Sequence, residues 1–105
     1  MNLTENPTSK ITGEYRKKLA LTYRAFANAL NEYLVNISIS HVAIMNWEKN
    51  ITDPNTDFLL ICLVVYDDWR AEWAVKCLCA KLPEVFNLAD GHLIVLANKV
   101  LAEKM

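Results

Sequence analysis

Apolar positions recur along this chain mostly at three- and four-residue spacings, the mark of helices that each bury one stripe. Thr22 is a suitable N-cap, and Phe26, Leu30, Tyr33 and Leu34 keep the helical rhythm after it, predicting a helix through Leu30 that continues toward Leu34. A shorter helix is expected from the Ser40 cap to Asn50, whose left-handed conformation ends it, with Ile44, Trp47 and Ile51 as its apolar stripe. Between the two, Val35 to Ile39 alternates apolar and polar with two isoleucines, which predicts an extended connector. A first helix is predicted from Thr12 or Gly13 to Leu21. Beyond Pro54, three more helices are expected. Asn55 or Thr56 opens one to Tyr66, with Phe58, Leu59, Cys62, Val65 and Tyr66 inward. Asp67 and Asp68 open Trp69 to Leu82, with Trp69, Trp73 and Cys77 inward, and Pro83 ends it. Asp90 opens the last, to Lys104, on a stripe of Leu93, Ala97, Val100 and Leu101.

The predicted fold is therefore all-α, one domain of compact helices. Only two glycines, three prolines and no Asn-Gly or Asp-Gly between alternating runs leave little material for hairpins. A chain of 105 residues is long enough to bury its own core. Residues 1–11 read as a flexible arm, residues 12–66 as the central unit and residues 67–105 as C-terminal helices available for dimerisation.

The central stretch carries the most specific signal. The expected outer face of the Ser40 helix, made of Ser40, His41, Ala43 and Asn46, is small, polar and uncharged, whereas a solvated helix face usually carries several Lys and Glu. Such a face can lie against base edges, since Asn bonds adenine bidentately and Ser or His reaches acceptors. Trp47, Glu48, Lys49, Asn50 and Pro54, following this capped helix, resemble the recognition helix and turn of the lambda-repressor-like (Cro and XRE) helix-turn-helix family. Upstream, Leu21 to Leu30 resembles that family's first motif helix, with Thr22 as cap, Phe26 and Leu30 as core positions and Ala27 as the small contact residue. The resemblance spans roughly Glu14 to Tyr66. It departs from the family in one respect: Ala27 and Glu48 are 21 positions apart, so about seven residues near Asn31 to Ile37 are inserted between the two helices.

The resemblance implies a sequence-specific regulator of phage or mobile-element type, bound as a homodimer to double-stranded DNA. Ser40, His41, Ala43 and Asn46 would then face bases, and Arg16, Lys17, Tyr23, Arg24 and Lys49 would meet phosphate. The charge distribution agrees. The formal net charge is only −1, but from Lys10 to Lys49 six basic residues face three acidic ones, a balance of +3, and from Asn50 onward the balance is −3. The net acidity and the insertion point instead toward a helical protein-interaction module, antirepressor-like or a scaffold, that has lost DNA binding.

Other chemistry is scarce. No Gly-rich phosphate loop, Ser/His/Asp set or Cys/His pair is present, so neither catalysis, a small-molecule substrate nor a cofactor is expected. Cys62, Cys77 and Cys79 read as reduced thiols, and His41 and His92 stand alone, so no metal site is expected. The longest apolar run, Phe58 to Tyr66, is far short of a membrane span, and the polar N-terminus does not read as a signal peptide. A cytoplasmic protein is expected. Trp69 and Trp73 read as core aromatics rather than a ligand box.

Overall fold

The computed structural model describes residues 7–81 together with 98–99 and 102–103. Residues 7–81 form five helices: α1 (Pro7–Lys18), α2 (Tyr23–Asn31), α3 (His41–Glu48), α4 (Thr56–Val65) and α5 (Trp69–Lys81). The fold is all-α, and no strand occurs among the described residues. Asn98, Lys99, Ala102 and Glu103 are helical, while the remainder of the helix expected from Asp90 to Lys104, with its dimerisation stripe and His92, lies outside the described residues. No described helix is long and apolar enough to cross a membrane.

α4 is the hub. Phe58 to Cys62 are buried in succession, so the helix is apolar around its whole circumference and is packed on more than one side. The Asn55 side chain caps it by accepting from the Asp57 N–H at 2.8 Å, and Tyr66 leaves it in extended conformation. α5 lies against α4 and α1, with Trp73, Ala74, Cys77 and Leu78 fully buried. Phe26, Trp47, Phe58, Trp69 and Trp73 form one continuous aromatic core; Trp73 stacks on Trp47 at 5.9 Å and meets the edge of Phe26 at 5.8 Å.

Three boundaries differ from the sequence expectation. α1 begins at Pro7, five residues before Thr12, inside the segment expected to be a flexible arm. Proline suits a first helical position, and the first turns are held by polar burial that hydropathy does not register. Thr8 and Thr12 are both fully buried; Thr8 Oγ1 donates to Asp53 Oδ1 at 3.2 Å and Thr12 Oγ1 accepts from Trp73 Nε1 at 3.1 Å. α1 also ends earlier than Leu21, with Ala20 at φ 55° and the Leu21 N–H bonded to the Arg16 carbonyl, a Schellman turn. α2 stops at Asn31 rather than running on to Leu34. The inserted residues form a loop whose ends are tied by the Asn31 side chain, which donates to the Ile39 carbonyl at 2.8 Å and accepts from the Ile39 N–H at 2.9 Å. Ile37 and Ile39 pack inward, as their alternation predicts, but the connector is not extended throughout: the chain bends at Val35 and Asn36, with Asn36 at φ 65°, and Tyr33 and Val35 are 61% and 60% exposed.

A buried cation clamps this loop to α5. Arg70 is 9% exposed and donates to both Asp68 carboxylate oxygens, to the Ala29 carbonyl at 2.9 Å and to Glu32, with its guanidinium 3.8 Å from the Tyr66 ring centre. Tyr66 itself donates to the Leu30 carbonyl at 2.6 Å and accepts from the Tyr33 N–H at 3.2 Å. The last three carbonyls of α2, those of Ala29, Leu30 and Asn31, thus each have a partner where the loop leaves it.

Candidate nucleic-acid interface

α3 is short, and both of its ends are fixed by local chemistry. Ser40 Oγ accepts from the Ala43 N–H at 3.3 Å, closing the N-terminus. At the other end Asn50 takes φ 61°, the Asn50 N–H bonds the Trp47 carbonyl and the Ile51 N–H bonds the Asn46 carbonyl, a complete Schellman motif on the residue expected to provide it. Ile44 is fully buried and Trp47 is 5% exposed, stacked on Trp73 and tilted against Phe58. Ile51 does not join that stripe: the chain turns away at Asn50, leaving Ile51 66% exposed.

With Ile44 and Trp47 inward, the opposite side of α3 is fixed by the helical repeat of about 3.6 residues. Its centre is Val42, 48% exposed, with Asn46 and Lys49 one and two turns on. Ser40 is exposed at the N-terminal margin and His41 half-buried beside it. Ala43, expected on this face, is packed against the core instead. Nothing in the polarity of Val42 marks it as an outward position; the helical phase set by Ile44 and Trp47 does.

The five residues expected to meet phosphate divide into two groups around a single node. Arg16 donates to Glu48 through Nε at 2.6 Å and Nη2 at 3.0 Å, donates to the Leu21 carbonyl at 3.1 Å, and lies 4.3 Å over the Tyr23 ring. The Glu48 carboxylate raises the guanidinium pKa above its ordinary value. Arg16 is therefore an internal tie joining the ends of α1 and α3 to the start of α2, with its charge already matched, and is not a free surface cation. Tyr23 is half-buried, its ring covered by Arg16. Lys17, Arg24 and Lys49 are exposed, and each follows directly a member of this node: Arg16, Tyr23 and Glu48. Exposed cations thus stand on α1, on α2 and just after α3, each next in sequence to a member of the node. Lys10, which the sequence did not single out, joins Lys17 around a shallow polar dent at Gly13 and Glu48.

Of the three cysteines, two are enclosed and Cys79 is half-buried. The Cys62 and Cys77 thiols are buried, and desolvation pushes each pKa up to about 12. Among the described residues no three His, Cys, Asp or Glu side chains come together as a metal site would require. Comparison of the chain with family models, with curated proteins and with solved structures finds no match.

Proposed function

We propose that this chain is a sequence-specific, double-stranded-DNA-binding transcriptional regulator of the repressor-like helix-turn-helix type, acting in the cytoplasm as a homodimer. One observation carries the reading: α3 is packed from behind and capped at both ends, yet turns outward a face whose only charge is the terminal Lys49, while exposed Lys17 and Arg24 stand on α1 and α2, the two helices that contact α3. Rigid placement with little charge suits base edges, which need short hydrogen-bonding and apolar groups, while cations at the rim suit phosphate. Ser40, His41, Val42 and Asn46 take the base-facing role and Lys17, Arg24 and Lys49 the phosphate-facing role.

Substitutions in the two sets should fail differently. Asn46→Ala should cost about 1–3 kcal/mol on a preferred site and little on random DNA, because it removes a base contact. Arg24→Ala should weaken binding to every sequence and reduce the salt slope by about one, because one fewer counterion is released. Unchanged DNA affinity in both variants would refute the assignment. The second reading, a helical protein-interaction module, draws support from Tyr33 and Val35, two large apolar side chains exposed on the inserted loop. It would be favoured by Tyr33→Ser with Val35→Ser abolishing capture of a protein partner while the unsubstituted chain ignores DNA.

A further inference from the structure

A cavity of about 320 Å³ opens between the connector that joins α2 to α3, α3 itself and the start of α4. Trp47, Phe58 and Ile61, all nearly fully buried, make its floor, and the half-buried Ile37 and Ile39 make its sides. The two aromatic rings of the floor are tilted 50° to one another with their centres 6.2 Å apart. Local bonds fix the walls: the Asn31 side chain holds the Ile39 backbone through two hydrogen bonds at 2.8 and 2.9 Å, and Asn55 caps α4. The polar part of the lining is confined to Asn55 and Asp57, at one end, where α4 begins. Among the described residues the lining carries one charge, the Asp57 carboxylate, and no cation.

We propose that this cavity binds a small aromatic amine, with its ring against Trp47 and Phe58 and its ammonium toward Asp57. Preformed concavities of roughly 300–1,000 Å³, mostly apolar and with a few polar groups at one place, are the usual form of small-molecule sites, and this one has the size for a compact ligand. The tilted rings of the floor offer a flat aromatic group the offset and edge contacts that such groups favour. The single charge selects the other end of the ligand. An ammonium brings donors and the opposite charge to the Asp57 carboxylate, whereas a carboxylate in its place would meet like charge without a cation to offset it. Ile37 and Ile39 come from the connector lengthened by the insertion, so the cavity belongs to this chain rather than to the helix-turn-helix pattern. The inference does not depend on DNA binding.

Two probes that share a ring and a two-carbon spacer test it: phenethylamine and hydrocinnamate, each titrated into the full chain while its amide and indole N–H resonances are followed by NMR. Phenethylamine should shift the Trp47 indole signal and the Ile37, Ile39 and Phe58 amide signals together and saturably. It should bind about tenfold more tightly than hydrocinnamate. Asp57→Asn should bring the two probes within about twofold of each other, and Ile37→Trp, which fills the mouth of the cavity, should abolish the binding of both. Circular dichroism matching the unsubstituted chain verifies that the variants are folded, and the comparison of the two probes in the unsubstituted chain stands without them. Equal affinity for the two probes, a preference undiminished in Asp57→Asn, shifts confined to residues away from the cavity, or no saturable shift up to about 10 mM overturns the assignment. The DNA reading stands or falls separately, on duplex titrations.

Discussion

Glu48→Gln isolates the tie that holds α3 to the rest of the domain. The Glu48 side chain is 10% exposed and its carboxylate accepts two guanidinium hydrogen bonds from Arg16, itself 17% exposed. Glutamine keeps the volume but removes the charge, and its amide nitrogen places a donor opposite a donor, so one bond is lost and the other is weakened. Charge-assisted bonds contribute about 1.5–3 kcal/mol each against about 1 kcal/mol for neutral ones, and Arg16 is left shielded with its charge unmatched. Its bond to the Leu21 carbonyl and its position over Tyr23 survive and soften the loss. The expected cost is about 2–4 kcal/mol, lowering the melting temperature by roughly 10–25 °C for a domain of this size. Urea unfolding followed by tryptophan fluorescence measures it directly. A double-mutant cycle with Arg16→Met should return a coupling of at least about 1.5 kcal/mol, since removing both charges together leaves neither stranded. A loss within about 0.5 kcal/mol of zero, or additive behaviour in the cycle, would show the pair to be an ordinary solvent-screened bridge and remove the argument that α3 is rigidly placed.

Trp47→Ala should cost about 3–5 kcal/mol in the same urea assay, because it empties the space between Phe58 and Trp73; a loss below about 1 kcal/mol would contradict the burial described. Ala20→Gly should stabilise by about 0.5–1 kcal/mol, because Ala20 is exposed at φ 55°, where a Cβ is strained; a lowered melting temperature in calorimetry would count against the Schellman turn at the end of α1. The Arg70 hydrogen bonds hold the Asp68 carboxyl below its ordinary pKa, so its contribution is fully present above the unfolded value of about 4 and is lost as pH falls through the lower folded one. Stability measured from pH 6 downward should therefore fall below about pH 4, and Asp68→Asn should lessen that fall; an identical acid limb in the variant would refute the linkage.

Local chemistry is what the sequence displays best. Thr22, Ser40 and Asn55 each cap the helix expected of them, and Asn50 provides the left-handed stop, because capping depends on one side chain and its nearest backbone groups. Trp47 and Trp73 are core aromatics, as their helical spacing predicts. What escaped has a long-range or polar cause. The early start of α1 depends on threonines satisfied by Asp53 and Trp73, 45 and 61 residues away along the chain. Arg70 carries no mark of burial in its own stretch of sequence, since it is α2 and Tyr66 that close over it. At the candidate interface, Arg16 is legible as a cation but not as the partner of Glu48, 32 residues on, and Val42 rather than Ala43 turns outward because the helical phase set by Ile44 and Trp47, not smallness or polarity, decides it.

Fluorescence anisotropy of labelled duplexes, random and genomic, titrated with the unsubstituted chain at two salt concentrations tests the central claim most directly. At about 0.15 M salt a preferred duplex should bind on the order of 10³-fold more tightly than random sequence. The logarithm of affinity should fall against the logarithm of salt with a slope of about −3 per protomer, from Lys17, Arg24 and Lys49. Equal affinity for every duplex, or none at either salt, would contradict the account and leave α3 as a structural helix of an interaction module.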